Sequence, residues 1–433
     1  MEKKKYRFIF PLLLVLISAA FLVSSCTKEE DDLDDDQRVA ENTEFYKLMR
    51  EWYYWYDKMP DINPASQMYR DVYDVMEAIR HLPLDRWSYI TSKEEFDSYY
   101  LESKFIGYGF GSAFDAQGNL RVTFIFNTVG MYEKGVRRSW ILREVNGTTV
   151  RPGVNINQLL GANEIGVSNN FLFIDPDGEE VAMTLSKDEV FMNTVLHKEV
   201  IEYGGINAGY LVFKNFTTPS FDELEEAVDY FNAEGIDELI LDLRYNGGGQ
   251  TNVANFLASI IGGEKVADKP FAKYLYNEKK AEDHNFIDSM KYESNIFNVD
   301  RLITITTRAT ASASEMVING LKPFMDVYIV GDNTYGKPMG MNAWYYGDKY
   351  AFVPVTFKIA NANGDGDYFD GLVANSYVAD DITRPFGDPE EASLKEALEF
   401  IVTGAFSGLP RKKSLYVQPF EEMKGIRAEI GAH

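Results

Sequence analysis

Leu239-Ile240-Leu241-Asp242-Leu243-Arg244-Tyr245-Asn246-Gly247-Gly248-Gly249 is the stretch that decides how this chain folds. Leu239 to Leu243 is a nearly continuous apolar run, as a strand covered on both faces of a parallel sheet requires. It leads straight into three glycines, which let the backbone approach a ligand and aim N–H groups at it. A plain tight turn after a strand reads equally well. Upstream, Tyr210 to Phe213 is a short apolar run. Ser220 then opens a predicted helix, with Glu223 at capping-box spacing. Leu224, Ala227, Val228 and Phe231 recur at helical spacing, and Gly235 ends the pattern. Downstream, Leu302 to Thr306 and Val327 to Val330 repeat the strand type, with a helix-like stretch from Ser312 to Phe324 between them. This alternation argues an α/β core over 195–405.

The flanks differ. Residues 101–190 show short alternating runs separated by Gln117-Gly118, Asn146-Gly147 and Asp177-Gly178, the pattern of a small β-rich module. Residues 41–100 read as a helical region, with Phe45, Leu48, Trp52, Val72, Val75, Met76 and Ile79 at amphipathic spacing and breaks near Pro60 and Pro64. At the start, Lys3, Lys4, Lys5 and Arg7 precede an apolar run from Phe8 to Val23, then Ser24, Ser25 and Cys26. Residues 1–25 therefore read as a signal peptide. The run is short for a span of ~20 residues. Val-Ser-Ser-Cys resembles a bacterial lipobox, which makes Cys26 the expected lipidation site. Residues 26–40 follow as an acidic tether, expected to stay extended by self-repulsion. Its run from Lys28 to Asp36 resembles the surface-export signal of Bacteroidetes lipoproteins. The expected location is the envelope of a Gram-negative bacterium, with the membrane reached through the lipid. The tail over 406–433 carries no readable pattern.

Composition narrows the function. The 433 residues carry 43 Lys and Arg against 67 Asp and Glu, a net charge of −24, which argues against nucleic acid as a partner. A single cysteine excludes an intramolecular disulfide and a Cys-rich zinc site, and four histidines leave little for a His-built metal centre. No metal or organic cofactor is implied.

Two further patterns could carry chemistry. Thr310-Ala-Ser-Ala-Ser-Glu315 lies between an apolar strand and a helix, with Ser312 and Glu315 at capping-box spacing. An ordinary helix start accounts for it. Yet a serine there also sits near unpaired N–H groups and the positive end of the helix dipole. Gly336-Lys337-Pro338 follows the next strand, and a strand–helix–strand crossover returns that turn to the same sheet edge. A lysine deprotonates a serine only when neutral. At a reference pKa near ~10.4, about 0.04% is neutral at pH 7. Bringing the pKa to ~7 needs roughly 4.6 kcal/mol of desolvation, hence a buried amine.

Asp-Leu-Arg-x-Asn-x-Gly-Gly, Thr-Ala-Ser-Ala-Ser-Glu and Thr-x-Gly-Lys, in this order, closely resemble the carboxy-terminal processing (tail-specific) serine peptidases. The resemblance runs from about Glu44 to Ile401. It implies a core of the crotonase/Clp-protease type, with Ser312 as nucleophile and Lys337, at the family's spacing of 25 residues, as general base. It also implies an oxyanion hole from the N–H of Ala313 and one from Gly247–Gly248, most naturally Gly248. Asp242, Arg244, Asn246 and Glu315 come over as supporting residues. Gly107-Tyr108-Gly109-Phe110 and Gly135 to Gly147 look like the family's PDZ module, whose N–H groups would receive the end of an extended polypeptide substrate. Phe369 to Asn375 and Gly387 to Glu390 look like its C-terminal segments.

Two departures stand out. Met341 occupies the position where many members carry a glutamine that orients the lysine, and Ser139-Trp140 replaces the usual Gly-Asp. A catalytically weak, peptide-binding relative therefore stays open as the alternative. Other readings are weaker. Gly331 to Lys337 matches the front of a phosphate-binding loop, but Pro338 replaces the hydroxyl residue that binds Mg²⁺. Asn361 to Asp367 begins like an EF-hand loop, but Leu372 replaces the bidentate glutamate. His81, His197, His284 and His433 fall in no triad motif.

Overall fold

The computed structural model describes residues 27–408 and 425–433; the signal-like run and Cys26 lie outside the described residues. Two compact units emerge, one of residues up to Leu48 with Pro60–Ile79, the other of Met49–Met59 with Arg80–His433.

In the first unit, helix α1 (Thr27–Trp52, continuing beyond the unit) contains the acidic run that was expected to be extended. The negative charge clusters at the N-terminal end, where the helix dipole favours it, and the helix propagates from the ordered segment behind it. Arg38 of α1 donates to the carbonyls of Ser66 (3.2 Å) and Tyr69 (2.8 Å), and Asn42 to Tyr69 (3.1 Å). Asp71 accepts from the N–H groups of Tyr73 and Asp74 (both 3.0 Å) at the start of α2 (Val72–Ile79), which buries Val72, Val75, Met76 and Ile79 as their spacing predicts.

The second unit begins with a departure from the all-helical expectation for 41–100. Tyr89–Ser92 is a strand paired antiparallel with Tyr350–Val353, because Tyr-Ile-Thr suits a buried pleat better than a helix. The β-rich module follows. Strands β1 (Lys104–Gly107) and β7 (Asp188–Phe191) pair with each other. Between them β2 (Phe110–Phe114), β3 (Leu120–Ile125), β4 (Ile141–Val145), β5 (Ser168–Ile174) and β6 (Glu180–Ser186) form an antiparallel sheet in that order, with β2 at its edge. Its core holds Phe110, Leu120, Val122, Phe124, Leu142, Phe171 and Phe173.

The core sheet runs β8 (Val195–Tyr203), β9 (Ile206–Phe213), β10 (Glu238–Asp242), β12 (Arg301–Thr306), β13 (Asp326–Gly331), β16 (Ser376–Tyr377), parallel except for the β8–β9 hairpin. Helices α3 (Ser220–Glu234), α4 (Thr251–Gly262) and α5 (Ala313–Leu321) cover one face, meeting Leu239, Leu241 and Leu302; α6 (Ala392–Thr403) covers the other, meeting Ile240, Ile303 and Ile305. Burial on both faces is what the unbroken apolar runs anticipated. Each such side chain contributes roughly 1.5–3 kcal/mol. A second antiparallel sheet places β15 (Val355–Ala360) between β11 (Pro270–Tyr276) and β14 (Met339–Met341).

One expected capping box does not form. Glu223 of α3 instead accepts from the N–H groups of Thr194 and Val195 (both 2.8 Å), and the Ser220 hydroxyl donates to the Asn215 carbonyl (2.9 Å). The two otherwise unpaired amides at the start of β8 outcompete the local partner.

Candidate active site

Three neighbouring parallel strands deliver the three sequence patterns to one edge of the sheet. The glycines follow β10, Ser312 follows β12 and Lys337 follows β13, all at the C-terminal ends, where open α/β sheets bind ligands.

Ser312 precedes α5 with φ 56° and ψ −115°. Glu315 returns onto it as the capping-box spacing anticipates, its Oε2 accepting from the Ser312 N–H (2.9 Å). That same oxygen accepts from the Lys337 N–H (2.8 Å), while Oε1 accepts from the Gly336 N–H (2.7 Å) and the Thr334 hydroxyl (2.5 Å). One buried carboxylate therefore clasps the serine turn to the lysine turn. Burial pushes the Glu315 carboxyl above its ordinary range, and the four hydrogen bonds pull against that. Lys337 is 6% exposed.

The glycine loop is fastened by Asn246. Its carbonyl accepts from the Ala311 N–H (3.1 Å) and the Ser314 hydroxyl (3.0 Å), and its side-chain amide donates to the Phe213 carbonyl (3.0 Å). Thr310 donates to the Leu243 carbonyl (2.7 Å). Gly248 has φ 110°, and a Cβ there would sit 2.8 Å from Ser312 Cβ and 3.1 Å from the Ala313 nitrogen, so only glycine permits this approach. The Gly248 N–H itself donates to Asn246 Oδ1 (2.9 Å). Among the described residues, the N–H groups of Ala313 and Gly247 donate to no protein acceptor.

Asp242 and Arg244 lie one layer further in. Arg244 pairs with Asp242 (2.7 Å), Asp380 (2.8 Å) and Glu391 (2.8 Å). Arg138, from the β-rich module, reaches the same Asp380 (2.8 Å) and the Tyr245 hydroxyl (2.5 Å). Burial raises the Asp380 carboxyl, but the two guanidiniums outweigh it and hold it below the usual range. These groups brace the loop rather than face Ser312.

Sequence reading missed Thr334, Arg138, Asp380 and Glu391. Thr334 stood inside Thr-x-Gly-Lys, yet nothing in the motif says that its hydroxyl meets Glu315. The distant ion partners leave no local signal at all. Met341 lies in β14, half-buried against the β-rich module's core.

The competing motifs do not assemble. The Gly336 and Lys337 amides are taken by Glu315, and a strand rather than a helix follows them, unlike a phosphate-binding loop. Asn361 Oδ1 accepts from the N–H groups of Asn363 (3.0 Å) and Asp365 (2.9 Å), an Asx turn anchored on α5 through Asn319. No group of three or more metal-ligating side chains occurs among the described residues. His81 packs on Trp55, His197 pairs with Glu199, His284 packs on Trp52 and Tyr276, and His433 meets Ser112.

At Gly107–Phe110, the Tyr108 and Gly109 N–H groups donate to the His433 carbonyl oxygen (2.7 and 2.8 Å).

The chain is 21% identical over 337 residues to a CtpA-like serine protease of Staphylococcus saprophyticus, covering 76% of this chain and 63% of that protein. It is 23% identical over 244 residues to the carboxy-terminal processing protease CtpA of Bacillus subtilis, covering 53% of this chain and 47% of that one. It thus spans less than two thirds of either relative. A solved S41 protease from Bacteroides fragilis shares the fold at TM-score 0.68 and 22% identity, over 83% of this chain and 97% of that one. Residues 40–89 match the peptidase S41 N-terminal domain and residues 207–371 match peptidase family S41, and the solved S41 protease shares this chain's α/β fold.

Proposed function

We propose that this protein is a serine endopeptidase in which Ser312 attacks the scissile carbonyl and Lys337 is the general base. Lys337 takes the Ser312 hydroxyl proton as the new C–O bond forms, then gives it to the leaving amine as the C–N bond breaks. Water then attacks the acyl carbon as Lys337 takes its proton, the C–O bond to Ser312 breaks as Lys337 returns that proton to the serine oxygen, and the new carboxyl end leaves. The Ala313 N–H and a glycine-loop N–H stabilise the oxyanion, each such donor being worth about 10²–10³ in rate. The second donor is Gly247 unless the Gly248 N–H leaves Asn246 when substrate binds.

One observation carries this reading: the backbone nitrogens of Ser312 and Lys337 share a single Glu315 oxygen, with the lysine buried. Mass spectrometry of an unstructured protein incubated with wild type, Ser312→Ala and Lys337→Ala tests it. Cleavage by wild type alone is expected, and equal outcomes for all three would falsify the assignment. A weak peptide-binding relative is the second reading, favoured by Met341 and by the engaged Gly248 amide. It predicts peptide binding without turnover in wild type.

The β-rich module is, in this proposal, a PDZ-like domain that takes extended polypeptide substrates, and Cys26 is a lipid attachment site that holds the protein at the cell envelope. Incorporation of labelled palmitate by wild type but not by Cys26→Ala is the corresponding check.

A further inference from the structure

Edge strand β2 of the module is already extended by the chain itself. His433 donates its N–H to the Phe110 carbonyl (2.8 Å) and accepts at its own carbonyl from Tyr108 and Gly109. These are the groups that a peptide added to this edge would need. The side chain is held as well. Its Nε2 lies 2.8 Å from the Ser112 hydroxyl, and the ring packs on Phe110 at 5.0 Å between centroids. Gly107 has no side chain to obstruct this, since a Cβ there would come within 2.8 Å of the His433 oxygen. Behind His433, helix α7 (Ile426–Ile430) buries Ile426 and Ile430 in the module's core, with Ala432 beside them. Arg427 adds a 3.5 Å pair with Glu95. The contact is therefore a built one, with backbone, side-chain and apolar components.

We propose that residues 425–433 are the resident ligand of this groove, so that the chain blocks its own peptide-binding edge and a polypeptide substrate docks only after displacing His433. Two consequences follow from the geometry. The groove favours a ligand whose last docked residue is a compact ring with a hydrogen-bonding nitrogen matched to Ser112. And occupancy is intramolecular. A tethered segment acts at an effective concentration on the order of millimolar, so an untethered copy with a dissociation constant near ~0.1 mM competes at a handicap of about tenfold.

The inference rests on the peptide-binding reading of the module and not on hydrolysis, so the test uses the Ser312→Ala background. A fluorescent peptide with the sequence of residues 425–433 is titrated into the full chain and into a chain ending at Lys424. Binding at least ten times tighter to the shortened chain is expected. Equal affinity, or binding to neither, overturns the proposal. Because the shortened chain loses buried Ile426 and Ile430, His433→Asp provides a second arm that leaves α7 in place. It should bind the peptide at least five times tighter than its parent, and an unchanged affinity with native circular dichroism counts against self-occupancy. Affinity of the full chain that rises on dilution would assign the ligand to a neighbouring copy and overturn the intramolecular claim. If wild type still cleaves protein while these arms fail, only the resident-ligand inference falls.

Discussion

Ser312 has a positive φ, which a non-glycine residue adopts only where its surroundings over-determine it. Glu315 is the main restraint, since it accepts from four donors on both sides of the site. Glu315→Gln keeps the size but turns an NH₂ toward N–H groups, orphaning one or two buried donors at ~1–3 kcal/mol each. Chemical denaturation should therefore show a loss of roughly 1–6 kcal/mol, and kcat should fall at least a hundredfold. His433 offers a pH test. Burial first, then the neighbouring Lys187 charge, lower its imidazole to about 3. An undocked histidine titrates near ~6.5. The docked state requires the neutral ring, so docking is strongest above that value and weakens about tenfold per unit as pH falls toward 3. The groups that act on it are Ser112 on β2 and Lys187, which is bonded to the Gly161 and Ala162 carbonyls (2.8 and 2.9 Å) and is itself acted on by the Arg427 charge. Hydrogen exchange at the Tyr108 and Gly109 amides should lose protection between pH 7.5 and 4.5, after correction for the intrinsic rate. Protection that is flat with pH would contradict the imidazole's role.

Among the elements, the strands leading into the site were the most legible in sequence. Leu239–Leu243, Leu302–Thr306 and Val327–Val330 had to be buried on both faces, and a pleated strand between two helical layers is the economical way to do that. The Ser312–Glu315 spacing was equally readable, because a capping box is local. The Ser220–Glu223 spacing looked identical and failed, because Glu223 found better donors at Thr194 and Val195, far away in sequence. Docking of residues 425–433 left no trace either, since it uses mainly backbone groups that any sequence carries. At the glycine loop, Gly248→Ala would press a methyl against Ser312 and strain a φ of 110°. A drop in kcat/KM of at least a hundredfold is expected in a peptide-hydrolysis assay, with the fold retained.

At the level of the second unit as a whole, the β-rich module and the core meet through buried charge. Arg138, Asp380, Arg244, Asp242 and Glu391 are each no more than 4% exposed at the side chain. Such networks add little net stability when complete, but breaking one member costs about 3–5 kcal/mol. Arg138→Ala should lower the denaturation midpoint accordingly, whereas Arg384→Ala, whose pair with Asp388 lies at the surface, should leave it nearly unchanged. Equal midpoints for the two variants would mean that water reaches the network.

Ser312, Glu315, Thr334 and Lys337 all belong to the single crossover that leaves β12 and returns through β13. The proposed reacting pair is thus internal to one short supersecondary unit, supported from outside by the Asn246 loop and by Leu372, whose N–H donates to the Thr334 hydroxyl oxygen (2.7 Å). Backbone cleavage or circular permutation almost anywhere else in the chain should spare the pairing itself. A nick at Lys322–Met325, at the far end of the sheet, would put Ser312 and Lys337 on separate polypeptides, with one carboxylate and the sheet ladder left to hold them in register.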